Sequence, residues 1–281
     1  MGVNDAQAML WNGDGGQAWV EAQPVLDGMF ARIETLLAAM VAEAGATRVL
    51  DVGCGTGATT LAIARRIGAG AECLGLDISE PMIERAIARG REEGSPARFL
   101  AADAQTHDFG SPGFDMIVSR FGVMFFDDPV AAFANLRRAA RDGGELRLIV
   151  WRGRAENPFM TTAEQAAAPL LPSLPPADPD APGQFAFGNP DRVRDILAAG
   201  GWGAIELQPI DIECRLPERA MVPYLTRLGP LGRVLGTVDE ATQARIVEVV
   251  RAAFEPFVHG DEVRFTAACW MVGARAAERR G

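Results

Sequence analysis

The chain contains no lysine: all 27 basic side chains among its 281 residues are arginines. That absence removes a Schiff-base lysine, a phosphate-loop lysine and the Tyr/Lys pair of short-chain dehydrogenases, and Tyr224 is the only tyrosine. Cysteine is also sparse. Cys54, Cys73, Cys214 and Cys269 stand far apart, with no Cys-x-x-Cys and no His pair nearby. Neither a metal site nor a disulfide framework is therefore expected, and this usage fits a reducing cytoplasm. Basic charge is in deficit, 27 against 37 acids for a net charge of -10, which opposes the counterion-release binding of nucleic acid. No apolar run approaches the roughly 18 residues of a membrane span, and the first twenty residues lack the basic start and apolar stretch of an export signal. The length suits one elaborated domain or two small ones.

Apolar residues from Val25 to Ala44 recur at three and four, predicting a helix. Ahead of it Trp11 to Trp19 reads as a glycine-rich turn with two tryptophans, either a lid or a packed N-terminal strap. Short apolar runs at Arg48 to Val52, Cys73 to Asp77, Arg98 to Asp103, Phe114 to Ser119 and Gly144 to Trp151 predict five strands. Helical stretches such as Thr59 to Ile67, Pro81 to Arg91 and Pro129 to Arg141 separate them. Alternation of this kind requires a parallel, doubly wound α/β sheet, because parallel neighbours need long crossovers. Six prolines between Pro169 and Pro182 predict a loop. Asp191 to Ala199 reads as a helix, Ala204 to Ile212 as a strand, Pro217 to Phe257 as helical, and Arg264 to Val272 as a last strand. The two late strands are expected to pair antiparallel at the sheet edge. Three segments follow: an N-terminal lid and helix over 1–44, a core over 45–151, and cap insertions with the last two strands over 152–281.

The densest chemical signal is Asp51-Val52-Gly53-Cys54-Gly55-Thr56-Gly57, where alternate glycines let backbone turn tightly against a ligand. Its spacing is Gly-x-Gly-x-Gly rather than the Gly-x-Gly-x-x-Gly of dinucleotide binders, and Asp51 would repel a pyrophosphate while favouring the ammonium of an amino acid. Asp77 ends the second strand twenty residues after Gly57, where a carboxylate can accept both hydroxyls of a ribose. Asp103 ends the third strand, placed to accept from an adenine amino group. Singly each acid could be an ordinary strand-end residue; together they ask for amine, ribose and purine in that order.

With these motifs the chain resembles the class I S-adenosylmethionine-dependent methyltransferases, and more loosely a bacterial group acting on small molecules. The resemblance covers residues 45 to 151, carried by the 51–57 loop and by Leu76-Asp77-Ile78-Ser79-Glu80-Pro81-Met82. It implies a Rossmann-like sheet of seven strands with an antiparallel last strand, and S-adenosylmethionine as cofactor. Gly53, Gly55 and Gly57 would shape the methionine-end pocket together with Cys54 and Thr56. Asp77 and Ile78 would hold the ribose and Met82 would pack on adenine. Ala102, Asp103 and Ala104 would meet the adenine edge, Ser119, Arg120 and Phe121 would border the transferred methyl, and Trp19 would cover the site. Cys54 is read as a packed small residue rather than a nucleophile, and Phe121, Met124, Phe125 and Phe126 as core before ligand contacts.

Methyl transfer to a neutral nucleophile needs mainly a dry, positioned pocket. His107 and His259 are lone histidines read as structural, and no catalytic base is assigned. Arg120 could anchor an acidic substrate or a carboxylate of the cofactor, or form a surface ion pair. Segments 155–189 and 217–260 are expected to form the pocket of a small, partly hydrophobic acceptor. The alternatives are a nicotinamide-dependent oxidoreductase and a non-catalytic S-adenosylmethionine-binding protein. Nucleic acid and membrane are not expected as partners; a homodimer is left open.

Overall fold

The computed structural model describes residues 4–171 and 181–278. Helices α1 (Asp5–Asn12), α2 (Asp14–Glu21) and α3 (Gln23–Glu43) precede β1 (Arg48–Val52), α4 (Ala58–Ile67), β2 (Glu72–Asp77) and α5 (Glu80–Glu92). Then come β3 (Arg98–Ala101), β4 (Phe114–Arg120), α6 (Pro129–Ala139) and β5 (Ala140–Trp151). The second half holds α7 (Pro158–Ala167), α8 (Pro190–Ala199), β6 (Trp202–Pro217), α9 (Glu218–Arg227), α10 (Gly229–Leu235), α11 (Glu240–Ala253), β7 (Val258–His259) and β8 (Glu262–Ala276).

One sheet runs in the order β3-β2-β1-β4-β5-β8-β6, with the two-residue β7 paired to β8 outside that path. The first five strands are mutually parallel, and β8 lies antiparallel between β5 and β6. The expected α/β sheet with its antiparallel strand is thus present, seven strands long on its main path. Both faces of its centre are covered: Val49, Met116 and Val118 pack with Ala38 and Val41 of α3 and Ile63 and Ala64 of α4. Their neighbours Leu50, Val52 and Ile117 join a larger cluster that includes Ala132, Phe133 and Leu136 of α6. Strands buried on both faces read as unbroken apolar runs, which is why β1, β2 and β4 stand out in the sequence.

Several details differ from expectation. The Trp11 to Trp19 segment is helical, broken only at Gly13, where the backbone leaves helical geometry (φ -101°, ψ -145°). Packing overrides the low helix propensity of Gly15 and Gly16 there. Asp103 lies beyond β3, in a turn where its Oδ1 accepts from Gln105 N. β5 starts at Ala140, upstream of Gly144, with an irregular register between Phe114 and Met116. The late strands are longer than their alternation suggests, and Pro209 is tolerated because β6 is the sheet edge. The 217–257 stretch resolves into α9, α10 and α11. Of the proline loop, residues 172–180 lie outside those described.

The β6/β8 ribbon outruns the sheet. β8 pairs with β5 only from Arg275 to Cys269, whereas it stays paired with β6 down to Glu262. Where β5 ends, the buried Asn157 takes over as a neighbour of β8. Its Oδ1 accepts from Ala268 N at 2.9 Å, and its Nδ2 donates to Ala268 O at 3.0 Å. The projecting half carries the cap: Phe159 of α7 stacks on Phe265 of β8 with centroids 3.8 Å apart, edged by Phe254 and Phe257.

Candidate functional site

The strand order reverses between β1 and β4, the point where an open parallel sheet leaves a crevice beyond its carboxyl ends. The 53–57 bend fills one side of it. Gly53 has φ 66°, and a Cβ on it would sit 2.5 Å from Gly122 Cα, so the loop lies flush on the backbone that follows β4. Gly53 N and Cys54 N both donate to Leu76 O, at 2.8 and 3.1 Å, which ties the bend to the end of β2.

The Asp77 carboxylate organises the next turn. Its Oδ2 accepts from Gly55 N at 2.8 Å and its Oδ1 from Ser79 N at 2.9 Å. Each oxygen retains acceptor capacity for a further donor. Burial raises its pKa, with the N–H groups of Ser79, Gly55 and Ile78 pulling the other way. Ser79 caps α5 by accepting from Met82 N, and its Oγ donates to Trp11 O at 2.6 Å. Asn12 completes the junction: Nδ2 donates to Ile78 O at 3.0 Å and Oδ1 accepts from Glu80 N at 2.8 Å. The N-terminal segment is therefore a strap seated on the β2–α5 turn.

A cavity runs along these tips. Ala102, Asp103 and Ala104 line one end, Ile78, Met82 and Asp77 the middle, and Gly53, Cys54, Gly55 and Thr56 the floor. Arg120 and Phe121 close the end nearest β4, and Trp19 lies over it. Three residues expected at the site do not line it. Asp51 is 1% exposed beneath the bend, its Oδ2 accepting from Thr60 Oγ1 at 2.7 Å. Burial pushes it up to about 7 against the opposing pull of Thr60 and Arg120, and its Oδ1 has no hydrogen-bond partner. Gly57 begins α4 at φ 87°, and a Cβ there would meet the Phe99 ring at 2.9 Å. Ser119 is buried with its Oγ donating to Val52 O at 2.7 Å and accepting from Gly122 N at 3.2 Å. These three shape the bend from below.

The sequence reading missed one whole wall. Leu26, Asp27 and Phe30 of α3, together with Asn4, Gln7 and Trp11 of the strap, face the same space. Asp27, a lone acid on an otherwise apolar helix stripe, was the available signal. Its Oδ2 is held by Arg89 Nη2 at 2.8 Å and by Gln23 Nε2 at 2.5 Å. Phe125 and Phe126 also line the cavity, so part of the cluster read as core is wall. Phe121 sits at φ 68°, an uncommon backbone state for a bulky residue and one that gathers at ligand sites. Its ring stacks on Trp151 at 4.6 Å. Burial holds the Cys54 thiol well above its usual pKa, in keeping with a packed, unreactive side chain. His107 packs edge-on against Phe109 and His259 lies in β7; neither lines the cavity. Among the described residues no cluster of three or more His, Cys, Asp or Glu could hold a metal, and no helix is long and apolar enough to cross a membrane.

This fold and this crevice are those of a Rossmann-like, doubly wound α/β sheet. Residues 49–144, about a third of the chain, match the family described as a methyltransferase domain. Among relatives, an uncharacterized Mycobacterium tuberculosis protein is 32% identical over 167 residues, 58% of each chain. Nocamycin O-methyltransferase of Saccharothrix syringae is 29% identical over 185 residues, 60% of this chain and 64% of its own. The chain thus spans about three fifths of the length of these relatives. Among solved structures, phosphoethanolamine N-methyltransferase 2 of Haemonchus contortus in complex with S-adenosyl-L-methionine aligns with a TM-score of 0.52 at 18% identity, over 86% of this chain and 52% of that one. The cyclase SpnF aligns at 0.57 and 18% identity over 94% and 95%, so the fold extends to a protein named for another reaction.

The residues of the cavity fit S-adenosylmethionine, the molecule held by that N-methyltransferase. The floor is bare backbone, the Asp77 oxygens keep acceptor capacity midway, and two buried polar atoms, Asp51 Oδ1 and Arg120 Nη1, lack partners at the β1/β4 end.

Proposed function

We propose that the protein transfers a methyl group from S-adenosylmethionine to a small, partly hydrophobic acceptor. The observation that carries this is the order of groups along one cavity, Asp103, Asp77, bare backbone at Gly53 and Gly55, and charge at Arg120, which we read as facing adenine, ribose and the methionine end in turn. When bound, S-adenosylmethionine supplies a methyl on a sulfonium, which a nucleophile takes by in-line displacement.

What this chain's residues contribute is position and dryness. Asp77 holds the ribose, Met82 and Ile78 pack on the base, and Trp11, Trp19, Phe125 and Phe126 keep water from the cleft. Trp11 meets Trp19 and Phe125 edge-on, with centroids 5.9 and 5.1 Å apart. Alignment of reactants in such a pocket lowers a barrier by several kcal/mol, about the size of intramolecular proximity effects. The acceptor would enter beside Phe30 and Phe121, where the walls are aromatic. The relative named for O-methylation of nocamycin supports a small-molecule acceptor.

Calorimetry tests the reading. S-adenosylmethionine and S-adenosylhomocysteine should bind and NAD should not; a mass increase of one methyl on a metabolite incubated with enzyme and cofactor would complete it. Binding of NAD in preference to both nucleosides would overturn it.

A further inference from the structure

Arg120 is a buried charge without a counterpart. It ends β4 beside Gly53, lines the cavity, and lies over the Phe30 ring at 5.5 Å. Its Nη1 is buried with no hydrogen-bond partner, and among the described residues its guanidinium makes no ion pair. Four charged groups face it: Asp51, Glu34, Asp27 and Arg89. Asp27 is spent on Arg89, and Glu34 on Arg65 at 3.5 Å. Only Asp51 remains, and it too has an orphan oxygen, Oδ1. Two opposite charges on adjacent strands therefore flank the bend without bonding each other. Leaving a guanidinium buried and unpaired is costly, and such groups are retained where a ligand completes them. Arginine's planar fork matches a carboxylate, whose two oxygens it can hold at once.

We propose that Arg120 is the carboxylate receptor of the cavity, the group that reads an anion at its β4 end. Two sources present that chemistry: the amino-acid carboxylate of S-adenosylmethionine, whose ammonium would then lie toward Asp51, and a carboxylate on the acceptor. The first is favoured by the pairing of Arg120 with Asp51 across Gly53. This inference rests on the proposed function, and the experiment separates the two.

Wild-type protein, Arg120→Met and Arg120→Lys are titrated with S-adenosylhomocysteine and with 5'-methylthioadenosine, the same nucleoside thioether without its amino acid. If the cofactor's carboxylate is read, Arg120→Met weakens S-adenosylhomocysteine about ten- to hundredfold and leaves methylthioadenosine unchanged, with Arg120→Lys between. If the acceptor's is read, both nucleosides bind the variant as before. Protein saturated with S-adenosylhomocysteine then prefers 1-naphthoate over 1-naphthamide, and Arg120→Met abolishes the preference. A ligand-free melting temperature that holds or rises in Arg120→Met accompanies either result, because an unpaired buried charge has been removed. No change in either arm, or an equal loss for both nucleosides together with a lower melting temperature, overturns the proposal. Wild-type protein that binds neither nucleoside overturns the proposed function instead; the naphthoate arm without nucleoside then still decides the role of Arg120.

Discussion

Asp77 and Asp51 are both buried carboxylates at the tips of neighbouring strands, yet the structure gives them different work. Asp77 faces the cavity with its oxygens anchored by Gly55 N and Ser79 N, so a ribose would meet a fixed acceptor. Asp77→Ala should weaken S-adenosylhomocysteine by about 1.5 to 3 kcal/mol, the size of a charge-assisted hydrogen bond, and calorimetry would read it. Asp51 lies under the floor, and burial lifts it from 3.8 to about 7. Between those values the folded protein keeps a proton that the unfolded chain has released. Stability from this group is therefore full below pH 3.8 and is lost as pH rises through about 7. Asp51→Asn should remove that loss, so urea midpoints of variant and wild type should diverge across this window, the variant being the more stable at its upper end. A constant difference across the window would refute the assignment. At this scale the sequence was informative about acids and glycines, because their residue types carry the chemistry. It was silent on Asp27 and Phe30, whose place in the wall depends on how α3 docks across the sheet.

Elements differ in how plainly they announce themselves. Of the five parallel strands, β1, β2 and β4 were legible because they are buried on both faces, and the edge strand β3 and the longer β5 because turn residues bound them. β6 and β8 were legible only in part, since an edge ribbon alternates exposed and buried positions and accommodates Glu206, Pro209 and Asp211. The helices α1 and α2 were hidden by Gly13, Gly15 and Gly16, and their docking rests on contacts more than sixty residues away in sequence, such as Asn12 to Ile78. Asn12→Ala should accordingly loosen the strap: release of S-adenosylhomocysteine in stopped flow should quicken several-fold, while the fold and its melting temperature change little, the groups involved being exposed. Asn157 sits at the opposite extreme, fully enclosed where β5 hands β8 over to the cap. Its loss leaves Ala268 N without a partner and Ala268 O with Arg152 N alone, and Asn157→Ala should cost about 1 to 3 kcal/mol in urea unfolding.

For the molecule as a whole, a single hydrophobic cluster runs from Leu26 and Phe30 through the sheet to Phe159, Phe254 and Phe265. Nucleoside half and cap half share that interior, so urea should unfold them together, with fluorescence of the tryptophans and far-UV dichroism giving coincident curves. Saturating S-adenosylhomocysteine should shift both curves equally, by about 2.7 kcal/mol at a hundredfold excess over its dissociation constant. Curves that separate would show the cap melting on its own. The expected division into 1–44, 45–151 and 152–281 thus describes chain order, and we propose that its parts work as one cooperative body.

The β6/β8 ribbon gives this body an unusual freedom. From Ala267 outward it no longer pairs with the parallel sheet and serves as a mast, with α7 and the phenylalanine stack rigged to its far end. Insertions or exchanges in that rigging would leave the pairing of the five parallel strands as it is, so descendants of this chain could refit the far end of the mast without redrawing the hull.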